Sequence, residues 1–328
     1  MKIVDMHCDT ISELWKSRKE GRPQELSKNN LHIDIRKMKH SGYLLQNFAM
    51  YTDLGKVSEP FDYVLELIDI FYEEIEKNKN DISVIKTYGD IIENERQGKL
   101  SAMITIEEGA CCKGEIAKLE KLYALGARMM TLTWNYPNEL AYPNLFTKEK
   151  DSKGFFLFDN SQGLTEKGFA FIERMEELGM IIDVSHLSDQ GFWDIAKHTQ
   201  KPFVASHSNA RALCGHARNL TDDMIKTIAD RGGVIGLNFY GLFLNESADD
   251  FSNVKRMAEH ARHIINVGGS ECLGLGSDFD GIDGRLEMED CSQMEKLIAE
   301  LEKQHFTIGE IEKIVYKNTL NVYKEMLE

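Results

Sequence analysis

Six ionisable residues stand where short apolar runs of the sequence end, and their types are those of metal ligands and proton carriers. They are His7, Asp9, Glu107, His186, His207 and Asp278. Imidazole and carboxylate groups together suit Zn²⁺ and similar borderline ions. A lone His-x-Asp or Ser-His pair is common by chance, so the prediction of a metal site depends on the strand-end position that the whole set shares.

Such a set of groups suffices for two metal ions, and a carboxylate between the ions, most simply Glu107, would bridge them. The positive charge of the ions would also offset the cost of burying several carboxylates. A bound metal lowers the pKa of a coordinated water from about 15.7 to roughly 7, which provides hydroxide at neutral pH. The chemistry that the set predicts is hydrolysis of an amide or ester-like bond.

Eight apolar, strand-like runs alternate with helical patterns along the chain and would position these residues. The predicted strands span residues 2–6, 44–51, 101–106, 127–133, 180–186, 203–207, 234–239 and 272–276. Strands that alternate with helices form a parallel sheet, and this number of strands predicts a closed (β/α)₈ TIM barrel, which binds ligands at the carboxyl ends of its strands. The alternative, an open doubly wound sheet, lacks its usual glycine-rich first turn here.

The domain organisation follows from the even composition of the chain. No break in composition suggests a linker, so residues 1–328 are predicted to form a single barrel domain. Residues 135–163, after the fourth strand, contain two prolines, several asparagines and an aromatic cluster. This segment is too long for an ordinary strand–helix connection, so it is a candidate lid or substrate wall.

Charge and cysteine content restrict the partners and the compartment. The formal net charge is −15, which argues against nucleic acids and anionic membranes as partners. The six cysteines are not spaced as a disulfide framework, which favours a reducing compartment. The first residues enter a strand without the apolar segment of a secretory signal, and no apolar run reaches membrane length. We therefore expect a cytoplasmic protein.

Several short motifs occur in order between His7 and Asp280. They read H-C-D-T, I-E-E-G, D-V-S-H-L-S, S-H-S-N-A-R, H-A-R-N and G-S-D-F-D-G. In this combination they resemble the renal (membrane) dipeptidase family of zinc peptidases, peptidase family M19, in its soluble bacterial form. The resemblance implies a barrel of the metal-dependent amidohydrolase kind, with two Zn²⁺ ions, that cleaves dipeptides by a metal-bridging hydroxide. It also implies a homodimer.

The resemblance assigns the metal ligands residue by residue. His7 and Asp9 would bind one zinc ion. His186 and His207 would bind the other ion, and Glu107 would bridge the two.

The resemblance also assigns the groups that handle substrate. Asp278 would orient the hydroxide and then protonate the leaving amine. Arg218, in H-A-R-N, would hold the C-terminal carboxylate of the dipeptide, and Tyr240 would be a further substrate contact. Trp134 departs from the family pattern, because animal members carry there a histidine that contacts the substrate carbonyl. Indole cannot accept a proton, so the indole N–H, Asn135 or another donor would replace that contact, or the pocket would fit a different substrate.

Two other functions stay open at this point. The first is another metal-dependent amidohydrolase on the same barrel, such as a deacetylase, a cyclic-amide hydrolase or a lactonase. The second is a barrel that holds metal or peptide without turnover, for which Trp134 is the only support. Outside the set, His216 is interpreted as a loop residue, and His260 as a surface or packing residue of a helix.

Overall fold

The computed structural model describes residues 1–247 and 249–328, and its central feature is a ring of short parallel strands. The strands, in chain order, are β1 (Ile3–Asp5), β2 (Tyr43–Tyr51), β3 (Ile82–Val84), β4 (Leu100–Glu107), β5 (Ala127–Thr131), β6 (Leu145–Lys150), β7 (Phe156–Asp159), β8 (Ile181–Asp183), β9 (Ile235–Leu237) and β10 (Leu273–Leu275). The strands of the ring are almost wholly buried, because one face lines the barrel interior and the other packs under helices.

The ring closes through the sixth predicted strand, residues 203–207. The other strands of the ring pair in parallel in the order β8-β5-β4-β2-β1-β10-β9. Val204 forms a parallel bridge with Asp183 at the end of β8. Ala205 forms a second parallel bridge, with Ile235 of β9. The predicted (β/α)₈ barrel is therefore confirmed, with its sixth strand reduced to single bridges.

Helices follow the strands and cover the outside of the ring. They are α1 (Thr10–Lys19), α2 (Ile35–Ser41), α3 (Pro60–Lys77), α4 (Tyr88–Arg96), α5 (Ile116–Leu125), α6 (Glu166–Leu178), α7 (Asp189–His198), α8 (Asp222–Asp230), α9 (Gly241–Leu244), α10 (Val254–Gly268), α11 (Glu295–Lys303), α12 (Ile308–Glu312) and α13 (Asn318–Met326). A π-helical turn, Lys313–Lys317, joins α12 to α13. Within the described residues, no helix is both long and apolar enough to cross a membrane.

Two parts of the sheet structure were not predicted. Strand β3 pairs with β4 outside the closed ring, and its three residues are too few for a visible pattern. The long segment 135–163 contains the antiparallel pair β6 and β7. Strand β6 reads L-F-T-K-E-K and is mostly exposed, so it has no apolar run by which a strand could be recognised.

Two glycines allow the barrel strands to approach the backbone of Ser206. A Cβ atom on Gly236 of β9 would lie 1.8 Å from the carbonyl oxygen of Ser206, and one on Gly276 would lie 1.7 Å from it. No side chain tolerates such contacts, so glycine is required at both positions. The close packing fixes the backbone from which His207 enters the barrel.

Candidate metal centre and active site

The six residues predicted as ligands and proton carrier converge at the carboxyl ends of the barrel strands. They are His7 and Asp9 after β1, Glu107 at the end of β4, His186 after β8, His207 just after the bridges of the sixth strand, and Asp278 after β10. Each is at most 9% exposed. Carboxylates and imidazoles buried together must be compensated by one another or by cations.

The two carboxylate oxygens of Glu107 face different histidines. Its Oε2 is 3.2 Å from Nε2 of His7. Its Oε1 is 3.1 Å from Nε2 of His186 and 3.7 Å from Nε2 of His207. Burial alone would raise the pKa of Glu107, but the positive charge of His7 brings it below its usual value. An ionised carboxylate placed in this way can bridge two cations.

His186 and His207 direct their Nε2 atoms at each other, 3.0 Å apart. The other ring nitrogen of His186, Nδ1, lies 3.1 Å from Oδ1 of Asn135, an oxygen that can only accept. Nδ1 of His186 therefore carries the hydrogen, and its Nε2 is a lone pair. Burial lowers the pKa of both imidazoles, to about 4 for His186, so both rings are in the neutral form that binds metals.

His7 also belongs to a set of possible metal ligands with Asp9 and Asp278, and the ligand atoms of these three residues lie within 4.8 Å of one another. Nε2 of His7 is 3.6 Å from Oδ2 of Asp9 and 3.8 Å from Oδ1 of Asp278. Nε2 of His7 and Oδ1 of Asp9 are buried and have no hydrogen-bond partner in the part of the chain that the structure describes. These residues fit a metal ion, because an ion would satisfy both orphaned atoms.

Asp278 is held by Asn238, a residue that the sequence interpretation missed. Nδ2 of Asn238 donates to Oδ2 of Asp278 at 2.9 Å, which leaves Oδ1 facing His7. Burial, opposed by His7 and reinforced by the charge of Glu107, raises the pKa of Asp278 to about 6. A carboxyl group with a pKa near neutrality can both accept and release a proton. The polar residue just after β9, in N-F-Y, was the signal that could have indicated Asn238.

Arg218 is buried beside the cluster, in the loop that follows His207. Its Nη2 donates to the carbonyl oxygen of His207 at 3.2 Å, and its Nη1 donates to Oγ of Ser208 at 3.5 Å. Its Nε is buried without a hydrogen-bond partner among the described residues. Burial lowers the pKa of Arg218 to about 10, so the group remains cationic at neutral pH. This guanidinium can therefore take a carboxylate from outside the chain.

Trp134 belongs to an aromatic wall beside the histidines. Its ring centroid lies 6.3 Å from that of His186 and 5.1 Å from that of Tyr51, at the end of β2. Tyr136 extends the wall at 5.8 Å from Trp134. Tyr51 was not identified from the sequence, although it ends a predicted strand in the same way as the ligands do.

Asn135 and Tyr240, both predicted as substrate contacts, lie in different surroundings. Oδ1 of Asn135 contacts the imidazole of His186, so this oxygen serves a predicted ligand, while its amide NH₂ group can still donate. Tyr240 is half-buried and packs edge-on against Phe243, with ring centroids 4.9 Å apart. Its backbone N–H donates to Oδ1 of Asn238 at 2.6 Å, which joins it to the residue that holds the proton carrier.

The side chain of Glu108, the neighbour of Glu107, binds donors in the adjacent loops and not the ligand cluster. Its carboxylate accepts the backbone N–H of Ala110 and of Trp134, each at 3.0 Å. It also accepts from Nδ2 of Asn138 at 2.6 Å. These three hydrogen bonds hold the start of the segment 135–163 in place, and they fix the backbone of Trp134.

The hairpin formed by β6 and β7 packs against the loop that carries Arg218. The ring of His216, in that loop, has its centroid 5.6 Å from that of Phe146 and 6.0 Å from that of Phe155. Nδ1 of His216 accepts the backbone N–H of Arg218 at 3.1 Å. The long segment therefore contacts the loop of the candidate site through His216.

Comparison with known proteins gives matches over the whole chain. The family model described as membrane dipeptidase (peptidase family M19) matches residues 1–328. A protein from Schizosaccharomyces pombe described as an uncharacterized dipeptidase is 32% identical over 342 aligned positions, which cover 99% of this chain and 80% of that protein.

Two solved structures have the same fold. The dipeptidase AC, a metallopeptidase of family M19, has a TM-score of 0.91 and 23% identity, with 100% of this chain and 99% of that chain covered. A metallopeptidase from Rhodobacter sphaeroides, solved with a phosphinate mimic of the dipeptide L-Ala-D-Ala, has a TM-score of 0.89 and 22% identity, with the same coverage. At these identities the likeness establishes the fold.

Proposed function

The chain belongs to the membrane dipeptidase family, peptidase family M19, and is a metal-dependent dipeptidase; from that premise we propose that it binds two Zn²⁺ ions at the mouth of the barrel and cleaves dipeptides with a free C-terminal carboxylate. The observation that carries the proposal is the position of Glu107, one of whose oxygens faces His7 while the other faces His186 and His207. That arrangement supports a pair of ions with a shared carboxylate.

The ligands of the two ions would come from opposite sides of Glu107. His7 and Asp9 would hold one ion, and their orphaned Nε2 and Oδ1 atoms support this assignment. His186 and His207 would hold the other ion between Nε2 atoms that are 3.0 Å apart. When bound, the ions would polarise the scissile carbonyl and lower the pKa of a coordinated water.

Proton transfer falls to Asp278. Its Oδ2 is occupied by Asn238, so Oδ1 is the atom that would take a proton from the attacking water and pass it to the leaving amine. Asn238 would act as a positioning residue, because it keeps the carboxyl group turned toward the cluster.

Arg218 would bind the C-terminal carboxylate of the dipeptide. A buried cation whose contacts are neutral oxygens gains most from a charged ligand, and the forked donors of guanidinium match a carboxylate. Tyr240 and the amide NH₂ of Asn135 stay proposed as further substrate contacts. The aromatic wall of Tyr51, Trp134 and Tyr136 supports dipeptides with an apolar side chain against this wall.

The test combines metal analysis with a panel of dipeptides. Protein purified and restored with zinc should contain two ions per chain and should hydrolyse dipeptides but not their C-terminal amides. The panel should include L,D as well as L,L dipeptides, because the relative from Rhodobacter sphaeroides was solved with a mimic of L-Ala-D-Ala. Zinc-restored protein that cleaves no dipeptide of the panel would refute the proposal. Faster hydrolysis of an N-acetyl amino acid, a cyclic amide or a lactone would favour the other amidohydrolase function.

Three further expectations belong with this proposal. We propose that the chain acts as a homodimer, that it forms a single barrel domain and that it works in the cytoplasm without nucleic-acid or membrane partners. The six cysteines are free and buried, which suits a reducing compartment. Size-exclusion chromatography with light scattering would test the dimer.

A further inference from the structure

Two buried side chains that the proposed reaction does not use lie behind His207: Ser206 contacts its imidazole, and Asp183 contacts Ser206. Oγ of Ser206 lies 2.7 Å from Nδ1 of His207 and 2.5 Å from Oδ2 of Asp183. All three residues are at most 1% exposed, so solvent does not compete for these contacts. Together they form a chain of hydrogen bonds that ends on the imidazole.

The donors around Asp183 determine the direction of this chain. Oδ1 of Asp183 accepts the backbone N–H groups of Ser185 and Ser206, each at 2.9 Å. Its Oδ2 accepts the hydroxyl of Thr131 at 2.9 Å and that of Ser206 at 2.5 Å. Ser206 has one hydroxyl hydrogen and gives it to Asp183, so its oxygen accepts from Nδ1 of His207. Oγ of Ser185 is a more distant neighbour of Ser206, at 3.4 Å.

We infer that Asp183 and Ser206 are positioning residues that keep the hydrogen of His207 on Nδ1 and thereby present its Nε2 as a lone pair to the metal site. The inference rests on the proposed function in that Nε2 of His207 is a metal ligand. A neutral imidazole has one N–H, and either nitrogen can carry it. With the hydrogen on Nε2, the ring could not bind an ion on the side of Glu107.

Metal-binding histidines generally donate their second N–H to a carboxylate or a carbonyl oxygen, and loss of that partner weakens metal binding about 10–100-fold. Here the carboxylate of Asp183 acts through a serine instead of directly. Because a hydroxyl lies between them, the carboxylate of Asp183 can have two roles. It joins the ends of β8 and the sixth strand by accepting backbone N–H groups, and it orients the imidazole through Ser206.

The same arrangement occurs elsewhere in the barrel without a histidine. Asp5, at the end of β1, accepts the backbone N–H of Ser277 at 2.9 Å and its hydroxyl at 2.6 Å. Oγ of Ser277 also lies 3.2 Å from the carbonyl oxygen of His7, and among the described residues it contacts no ring nitrogen. Each serine therefore joins two strand ends, but only Ser206 reaches an imidazole. Ser277→Ala is a matched control for Ser206→Ala.

The first test compares zinc affinity in these two variants, measured by competition with a chromophoric chelator, with thermal unfolding of the metal-free proteins. Both variants should lose a similar amount of thermal stability, because each loses one hydroxyl that bridges strand ends. Ser206→Ala should also lose about 10–100-fold in affinity for one of two zinc ions. Ser277→Ala should lose no more than a few-fold. Equal losses of zinc affinity would overturn the inference, because Ser206 would then only join strands.

The second test needs no variant and holds even where Ser206→Ala does not fold. In wild-type protein labelled with ¹⁵N-histidine, Nδ1 of His207 should carry a proton and Nε2 should carry none, both with and without zinc. A zinc-loaded protein in which Nδ1 of His207 is unprotonated would overturn the inference. Wild-type protein that binds no zinc would instead refute the proposed function, so the two failures are distinct.

Discussion

His186 and His207 direct their Nε2 atoms at each other across 3.0 Å, while Nδ1 of each ring contacts an oxygen of a neighbouring side chain. The oxygen is Oδ1 of Asn135 for one ring and Oγ of Ser206 for the other. Two nitrogen lone pairs at this separation, without a hydrogen between them, repel each other until a cation contacts both. Zinc–nitrogen bonds are about 2.0–2.1 Å long, so one ion can reach both atoms.

Metal removal should therefore destabilise the protein. Zinc present at about 1,000 times its dissociation constant should raise the free energy of unfolding by about 4 kcal/mol, since the ion binds the folded chain and relieves the repulsion between His186 and His207. Thermal unfolding followed by circular dichroism, with chelator and then with added zinc, measures this change. Magnesium, which prefers oxygen ligands, is the control and should give a smaller shift. Identical unfolding temperatures with chelator and with zinc would contradict the prediction.

Replacement of Glu107 by glutamine should weaken metal binding and catalysis, because the carboxylate proposed to bridge the two ions is lost. The variant keeps the shape of the side chain but replaces one of the two oxygens that face histidines with an NH₂ donor. We expect fewer than two zinc ions per chain and a fall in kcat/KM of about a thousandfold or more, equivalent to several kcal/mol of transition-state stabilisation. Metal analysis and dipeptide hydrolysis on the same sample provide the two readouts.

Glu108→Gln is the matched control for that variant, because Glu108 is the adjacent carboxylate and binds loop donors only. It should lower the free energy of unfolding by about 1–3 kcal/mol, the cost of disturbing buried hydrogen bonds. It should still bind two zinc ions. If Glu107→Gln bound two zinc ions and turned over normally, the proposal that Glu107 bridges the ions would be contradicted.

The sequence was informative about the strands and their ends for a physical reason. Strands buried on both faces are continuous apolar runs, so an ionisable residue at the end of such a run is conspicuous. His186 and His207 stood out in this way. The structure brings them, with Glu107, to one face of the barrel.

The contacts of the supporting residues could not be predicted in the same way. Asn238 and Ser206 are small polar residues that are common in loops, and their roles depend on partners far away in sequence. Ser206 meets Asp183 across 23 positions, and Asn238 meets Asp278 across 40. Local patterns do not predict such contacts, because barrel closure creates them. The sixth strand was predicted as continuous, although the structure has only single bridges there.

Replacement of Arg218 by methionine should raise KM for dipeptides more than it lowers kcat. The loss of a buried partner for a carboxylate costs about 3 kcal/mol, or about a hundredfold in kcat/KM. The matched control is Arg211→Met, because Arg211 lies in the same loop but already pairs with Asp189 at 2.6 and 2.7 Å. That variant should lose stability and keep its KM. An unchanged preference of Arg218→Met for free dipeptides over their C-terminal amides would contradict the assignment.

His260 on α10 should make the protein sensitive to mild acid. Its Nδ1 accepts the backbone N–H of Ala210 at 3.1 Å, and its Nε2 donates to the carbonyl oxygen of Leu244 at 2.9 Å. A second proton on Nδ1 would face the N–H of Ala210. Burial, opposed by the bond to Leu244 and reinforced by the charge of Arg256, lowers the pKa of His260 to about 4.

The direction of the pH dependence follows from this pKa. The unfolded chain, in which a histidine has a pKa of about 6.5, binds more protons than the folded chain between pH 6.5 and pH 4. The free energy of unfolding should therefore fall as the pH drops through this range, by about 2–3 kcal/mol from His260. Urea unfolding of the metal-free protein at about pH 7 and pH 4.5 measures the change. The variant His260→Gln should lose this part of the pH dependence, since glutamine can keep one acceptor and one donor without titrating. The same pH dependence in the variant as in the wild type would show that His260 is not the group responsible.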